Sequence, residues 1–226
     1  MLDPSGRTLL LSGEQRTRIH PGSTLKPLVA SALLDARAAA PVRCSGRFFI
    51  GDRNLSCSHP RPLGMVALED AIAYSCNEYF AHAAAERLRP GQLSQRLRQF
   101  GLNASTPSTP DQAMLLALGE WGVECTALEL AQAYLRLSKL PYPRIGEALK
   151  TAATVGTARL AGGDVSGKTG TSPNRSRTGS WALFAGWSPA AKPRVVLAVM
   201  VSGGRGATEA APVARTLFDK YVEQQG

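Results

Sequence analysis

The sequence predicts an α+β fold, with an antiparallel sheet flanked by helices and an all-helical lobe beside it. Three observations predict it: a short strand candidate near the start, a long helix-patterned middle, and three strand candidates followed by a helix after Gly162-Gly163. The first strand is expected to join the last three in one sheet. That places a sheet lobe at about residues 1–22 and 160–226 and a helical lobe at about 23–159 of a single domain.

Taken in order, Pro4-Ser5-Gly6 is a tight turn feeding a strand over 7–12. From Ser23 to about Ala40 the pattern is helical, entered through Pro21-Gly22 and closed by Pro41. Residues 42–64, rich in Cys, Gly, Pro and Arg, read as loop. Residues 67–89 predict a helix or helix pair with Leu68, Ile72, Tyr79 and Phe80 among its apolar positions, and 91–100 a further short helix. Asn103 to Asp111 has turn composition and leads into the apolar stretch 113–118. Thr126 to Leu137, TALELAQAYLRL, is the clearest amphipathic helix, and 146–154 a weaker one. The late strands span 165–171, 180–187 and 194–201, separated by turn-forming residues at 172–179 and 188–193, and the last helix spans 210–224.

At 226 residues and 44% hydrophobic content the chain can build a sizeable core. Its net charge of +9 favours acidic partners, but the arginines are scattered, with no run of five basic residues and no basic helix interleaved with aromatics. Nucleic acid is therefore not an expected partner. No stretch approaches the ~20 consecutive apolar residues of a membrane span, and the first thirty residues carry no secretory signal pattern.

Three short motifs carry candidate chemistry. In Ser23-Thr24-Leu25-Lys26 the hydroxyl and the amine are three apart, so on a helix they share a face. A serine is a poor nucleophile until a base takes its proton, and a lysine desolvated among apolar neighbours can be that base. Alone, the pattern also fits a serine that merely caps a helix. Ser75-Cys76-Asn77 puts two polar side chains two apart, which suits a turn from which both point into one cleft. Ser166-Gly167-Lys168-Thr169-Gly170-Thr171-Ser172 is unusually small and polar for a strand. Its glycines admit a ligand's backbone, and a lysine beside hydroxyls suits a carboxylate. The spacing of a phosphate-binding loop is absent.

In this order, and on helix, loop and strand, Ser-x-x-Lys, Ser-x-Asn and Lys-Thr-Gly resemble the superfamily of penicillin-binding proteins and serine β-lactamases. PGSTLKP, SCNEYF, TALELAQAY, VGTA and KTGTS followed by WALFAGWSP extend the resemblance to the transpeptidase domain of high-molecular-weight penicillin-binding proteins. The resemblance implies that Ser23 is the acylated nucleophile and Lys26 its base. Ser75 relays protons, Asn77 bonds the substrate amide, and Lys168 supplies positive field. Thr169, Gly170 and Thr171 bind the substrate, the threonines holding its carboxylate, and the N–H groups of Ser23 and Thr171 form the oxyanion hole. It further implies D-Ala-D-Ala stem peptides of peptidoglycan as substrate, acylation by β-lactam antibiotics, cell-wall synthesis proteins as partners, an extracytoplasmic location, and no cofactor for catalysis. The chain begins inside what would be the family's first long strand, as a minimal or trimmed domain would. Two rivals are a β-lactamase and a binding or sensor module without turnover. For the β-lactamase, no Glu followed by Leu-Asn is present, and Glu120 and Glu124 lie in that part of the order.

Cys44, Cys57, His59 and Cys76 follow one loop into the second motif. They fit a Cys44–Cys57 disulfide, a structural zinc held by three thiolates and an imidazole, or free thiols, and elongation-type relatives look similar here. Cys125 is expected to be a buried small residue, His20 a surface residue, and His82 a helix-face residue. Trp121, Trp181 and Trp187 are expected mainly in the core, with a substrate groove as the alternative.

Overall fold

A computed structural model describes residues 1–57, 59, 64–173 and 179–223. The helical lobe is built around α1, Lys26–Asp35, which a 3-10 turn, Gly22–Leu25, leads into. From Lys26 to Leu33 every residue of α1 is buried, as expected of a helix surrounded on all sides. The helix stops earlier than the predicted Ala40. Arg37 takes φ 54°, its N–H bonds the Leu34 carbonyl and the Ala38 N–H bonds Leu33, a left-handed cap that ends the helix without proline.

The stretch read as loop contains two small antiparallel ladders. Strands β1 (Val42–Cys44) and β4 (Gly64–Val66) pair, as do β2 (Arg47–Ile50) and β3 (Arg53–Ser56). Composition hid them because the strands are three or four residues long, too short for alternation to register. The second hairpin turns at Gly51, φ 53°. Of this stretch, residues 58 and 60–63 lie outside the described ones.

The next segment resolves into a helix pair, α2 (Leu68–Ala73) and α3 (Asn77–Arg87), broken at Tyr74-Ser75-Cys76. Helices α4 (Gln92–Gln99), α5 (Pro110–Ala117), α6 (Ala127–Ser138) and α7 (Pro143–Thr154) complete the lobe. Sequence punctuation explains two starts. Thr109 caps α5 ahead of Pro110, and Thr126 with Glu129 forms a reciprocal capping box on α6.

The sheet has the order β5-β6-β7, antiparallel throughout: Ser166–Pro173, Ser180–Ser188 and Val195–Ser202. The turn predicted over 172–179 falls largely on 174–178, outside the described residues, as does Gln224 at the end of the last predicted helix. Strand β6 reads as an unbroken apolar run because both its faces are covered. Leu183, Ala185 and Trp187 join the main core, whereas Ala182 and Phe184 join a second core with Ala214 and Phe218 of α8, Ala211–Glu223. The predicted strand over 7–12 is absent. Instead Leu2 alone bridges Val196 on β7 and Thr8 on its other side, while Leu9, Leu10 and Leu11 stay exposed.

Candidate active site

The two lobes meet where the turn bearing Ser23 faces the edge of β5, and side-chain size explains how closely. A methyl group at Gly22 would stand 2.8 Å from the Thr171 carbonyl oxygen, one at Gly170 would stand 3.0 Å from that of Pro21, and one at Gly119 would stand 2.5 Å from that of Gly22. Sequence reasoning assigned the glycine of Lys-Thr-Gly to a ligand's approach; the approaching backbone at Gly170 is the chain's own. Gly119 and Gly22 also sit at φ 68° and 52°, where L side chains are strained.

Register fixes which way β5 offers its backbone. Leu2 bonds Val196 on the outer edge of β7, so even-numbered residues of β7 face outward and odd-numbered ones bond β6. Carried across the pairing of β6 with β5, Lys168, Gly170 and Ser172 bond β6, and the N–H and C=O groups of Thr169 and Thr171 point to the free edge. The Thr171 carbonyl is the group that lies against Gly22, so this edge faces the Ser23 turn. Thr171 Oγ1 accepts from the Gly206 N–H at 3.2 Å.

Lys26 occupies the centre and is completely buried. Its Nζ donates to the Ser75 carbonyl at 2.8 Å, Ser75 Oγ at 3.1 Å and Asn77 Oδ1 at 2.5 Å. Burial lowers its pKa from 10.5 to about 8, against the opposing pull of nearby Cys76, Cys57 and Glu120. Ser75 holds its place at φ 61°, a left-handed conformation that costs a non-glycine residue about 1–3 kcal/mol and turns both its carbonyl and its hydroxyl to the amine. Asn77 donates through Nδ2 to the Ser56 carbonyl at 2.9 Å, so its Oδ1 is aimed at Lys26. The structure therefore brings together the second motif and the lysine of the first; the hydrogen bonds of Lys26 go to the second motif rather than to Ser23.

Lys168 is also completely buried. Its Nζ reaches Thr157 Oγ1 at 3.3 Å and the Thr169 carbonyl at 3.2 Å, and Thr169 Oγ1 donates to the Thr157 carbonyl at 3.3 Å. Burial, and then the charge of Lys26, push its pKa well below the usual lysine value. Thr157 was missed as a site residue; the only signal in the sequence was its place in the VGTA segment. His20 is a correction of another kind. It is 8% exposed rather than a surface residue, with Nδ1 2.7 Å from the Val123 carbonyl. The bridge between Ile19 and Cys125 draws it inward. Trp187 is buried and donates to the Ala190 carbonyl, whereas Trp121, with Arg18, His20 and Asn103, lines a depression of about 400 Å³. Glu120 is engaged by Arg53 at 3.3 Å.

The four residues of the cysteine–histidine cluster converge within 4.8 Å of one another. Cys44 Sγ lies 3.7 Å from Cys57 Sγ and 3.5 Å from His59 Nε2, and Cys57 Sγ lies 3.7 Å from Cys76 Sγ. A tetrahedral zinc with bonds of ~2.3 Å to sulfur has ligand-to-ligand edges of ~3.7 Å, so the donor set fits the ion. All the cysteines are free thiols, so the Cys44–Cys57 disulfide alternative is not what this structure holds. Hydrogen bonds from the Cys76 thiol and the Glu78 N–H lower the Cys57 pKa to about 5, and the Cys76 thiol is pushed up in exchange.

A helical lobe and an antiparallel sheet meet at a serine turn beside a buried amine and a free strand edge. Residues 9–151 and 138–219 match the penicillin-binding protein transpeptidase domain, and the chain belongs to that family. Among solved structures it is similar to Pseudomonas aeruginosa PBP2, with a TM-score of 0.80 and 25% identity over 92% of this chain and 62% of that one. It is similar to the transpeptidase domain of the FtsI4 D,D-transpeptidase of Legionella pneumophila, with 0.74 and 25% over 98% and 87%. In fold it is also similar to penicillin-binding protein A of Mycobacterium tuberculosis, solved as a ceftriaxone acyl-enzyme complex, with 0.78 and 20% over 89% and 60%. The chain thus spans less than two thirds of the length of several structures it matches. No curated protein matches it. No described helix is long and apolar enough to cross a membrane.

Proposed function

We propose that this chain is a serine D,D-transpeptidase domain that acylates Ser23 with the D-Ala-D-Ala end of a peptidoglycan stem peptide, and with β-lactams in its place. The observation that carries the reading is the hydrogen-bond set of Lys26, a buried amine shared between Ser75 and Asn77 at the base of the nucleophile turn. With its pKa near 8, a useful fraction of Lys26 is neutral at pH 7, and that amine takes the Ser23 proton as Oγ attacks the penultimate carbonyl. The developing oxyanion lies between the N–H groups of Ser23 and Thr171. Ser75 Oγ, 3.1 Å from Nζ, passes the proton to the leaving D-alanine amine. The arriving terminal carboxylate is drawn by the positive field of Lys168 and binds the hydroxyls of Thr169 and Thr171. Water or an acceptor amine then releases the acyl group, giving carboxypeptidase or cross-linking activity. Catalysis needs no cofactor. The working place of such a domain is the extracytoplasmic face of the membrane, with cell-wall synthesis proteins as its partners.

Intact mass spectrometry before and after incubation with a penicillin tests this. The expected result is one stable adduct on the natural chain and none on Ser23→Ala. Loss of the drug without an adduct would make the protein a β-lactamase, and an unchanged drug would make it a docking module.

We further propose that Cys44, Cys57, His59 and Cys76 hold a structural zinc. Four protein ligands close the coordination shell, so the ion supplies rigidity alone. Elemental analysis is expected to give one zinc per chain. Stripping an ion present at a hundred times its Kd removes about 2.7 kcal/mol. At about 2–4 °C per kcal/mol, the Tm falls by roughly 5–10 °C. An unchanged Tm after stripping rules out the role.

A further inference from the structure

We infer that Glu78 is a positioning residue that holds the Cys44 turn in ligand geometry and so couples a bound metal ion to the contact between Lys26 and Asn77. This rests on the metal reading above. Glu78 is a carboxylate only 6% exposed, and a buried acid is costly unless several donors satisfy it. Its Oε2 accepts from the Ser45 N–H at 2.8 Å and the Gly46 N–H at 3.0 Å, and its Oε1 from Ser45 Oγ at 2.9 Å. Those two residues follow Cys44 directly, and the Gly46 carbonyl in turn accepts from the Cys57 N–H at 3.0 Å. Through its own backbone N–H, Glu78 donates to Cys57 Sγ at 3.5 Å.

An acid in the first turn of a helix is ordinarily explained by the helix dipole or by capping. Neither accounts for Glu78. The cap of α3 is Cys76, which accepts from the Tyr79 N–H, and the Glu78 carboxylate reaches donors on a segment 32–33 residues away instead. One residue therefore ties the Cys44 turn, the Cys57 thiol and the start of α3 together. Its chain neighbour is Asn77, whose Oδ1 accepts from Lys26 and whose Nδ2 bonds the carbonyl of Ser56, next to Cys57. A metal ion that locks the two cysteine turns fixes Asn77 from both sides, and Glu78 is the strut between them. Residues that orient metal ligands in this way typically change metal affinity by about 10–100-fold when removed.

The experiment is a cobalt(II) titration of the whole metal-stripped chain, read by the tetrahedral thiolate–cobalt absorption, with penicillin acylation measured on the loaded protein. Glu78→Ala is expected to bind cobalt at least about tenfold more weakly and to acylate at least about tenfold more slowly. Glu78→Gln is expected to stay within about threefold of the natural protein in cobalt affinity. Its amide oxygen accepts the two N–H bonds, and its NH2 donates to Ser45 Oγ, whose single proton then turns from residue 78 to the Arg47 carbonyl, 2.6 Å away. Should the alanine variant not fold, Glu78→Asp, one methylene short of the turn, is expected to weaken cobalt binding by at least about threefold. Natural affinity and spectrum in Glu78→Ala, or in Glu78→Asp if it is used, would overturn the inference, as would a glutamine variant as weak as alanine. No tetrahedral cobalt spectrum on the natural chain would instead overturn the metal reading itself.

Discussion

Lys26→Ala is expected to slow penicillin acylation by about 10²–10⁴-fold, the range for loss of a positioned general base, while leaving Ser23 in place. The natural chain should show why. Only the neutral amine accepts the Ser23 proton, so the acylation rate constant rises about tenfold per pH unit below the Lys26 pKa of about 8 and levels off above it. Stopped-flow measurement with a chromogenic or fluorescent penicillin between pH 6 and 9 reads this directly, and a flat profile would remove Lys26 as the base. Stability carries the same signature. Folding depresses the pKa from 10.5, so between about 8 and 10.5 the unfolded chain binds more protons and this residue makes stability rise with pH. Below about 8 both states hold the proton and the slope from this residue vanishes.

The second large effect is expected at a residue with no side chain. Gly119→Ala puts a methyl group 2.5 Å from the Gly22 carbonyl oxygen and 2.8 Å from the Gly22 nitrogen, at a φ of 68°. The Gly119 carbonyl is also the acceptor of the Gly22 N–H at 3.0 Å, so the contact sits one residue from Ser23. Strain at such a φ costs about 1–3 kcal/mol and overpacking a further 1–3 kcal/mol, for a total of about 2–6 kcal/mol. At about 2–4 °C per kcal/mol, the Tm falls by roughly 5–20 °C. A displacement of the nucleophile turn by about 1 Å can by itself cost about 100-fold in rate. Gly119→Ala should therefore lose acylation as well as stability, even at temperatures where calorimetry shows it folded. Natural acylation kinetics in the folded variant would mean that the turn is held by something other than this contact.

Both predictions start from residues whose importance the sequence showed unequally. Lys26 stood out only once Ser-x-x-Lys, Ser-x-Asn and Lys-Thr-Gly were found together in that order, since its own motif fits a helix cap as well. Gly119 is one glycine among 22, and nothing near it in sequence announces that it touches Gly22. The long helices and the late strands were legible because each carries its own periodicity or punctuation, as the Thr126–Glu129 capping box does for α6. The ladders of β1 to β4 were not, since three or four residues hold too little pattern. Likewise LLL at 9–11 reads as a strand, yet among the described residues no strand pairs with it, and the backbone bonds of Leu9 and Leu10 go to Met1.

By itself the sequence determined the fold class and the order of the motifs, and it singled out Cys44, Cys57, His59 and Cys76 as a set without deciding what they hold. These depend on local chemistry, which composition and spacing carry. Tertiary structure alone decided that Lys26 is shared by Ser75 and Asn77, that the free edge of β5 faces the Ser23 turn, that Thr157 supports Lys168, and that Glu78 grips the Cys44 turn. Those contacts join residues 11 to 149 positions apart in the chain, through backbone approaches that glycines permit and register directs. No local pattern encodes such distances; they exist only once the helical lobe has packed on itself and against the sheet.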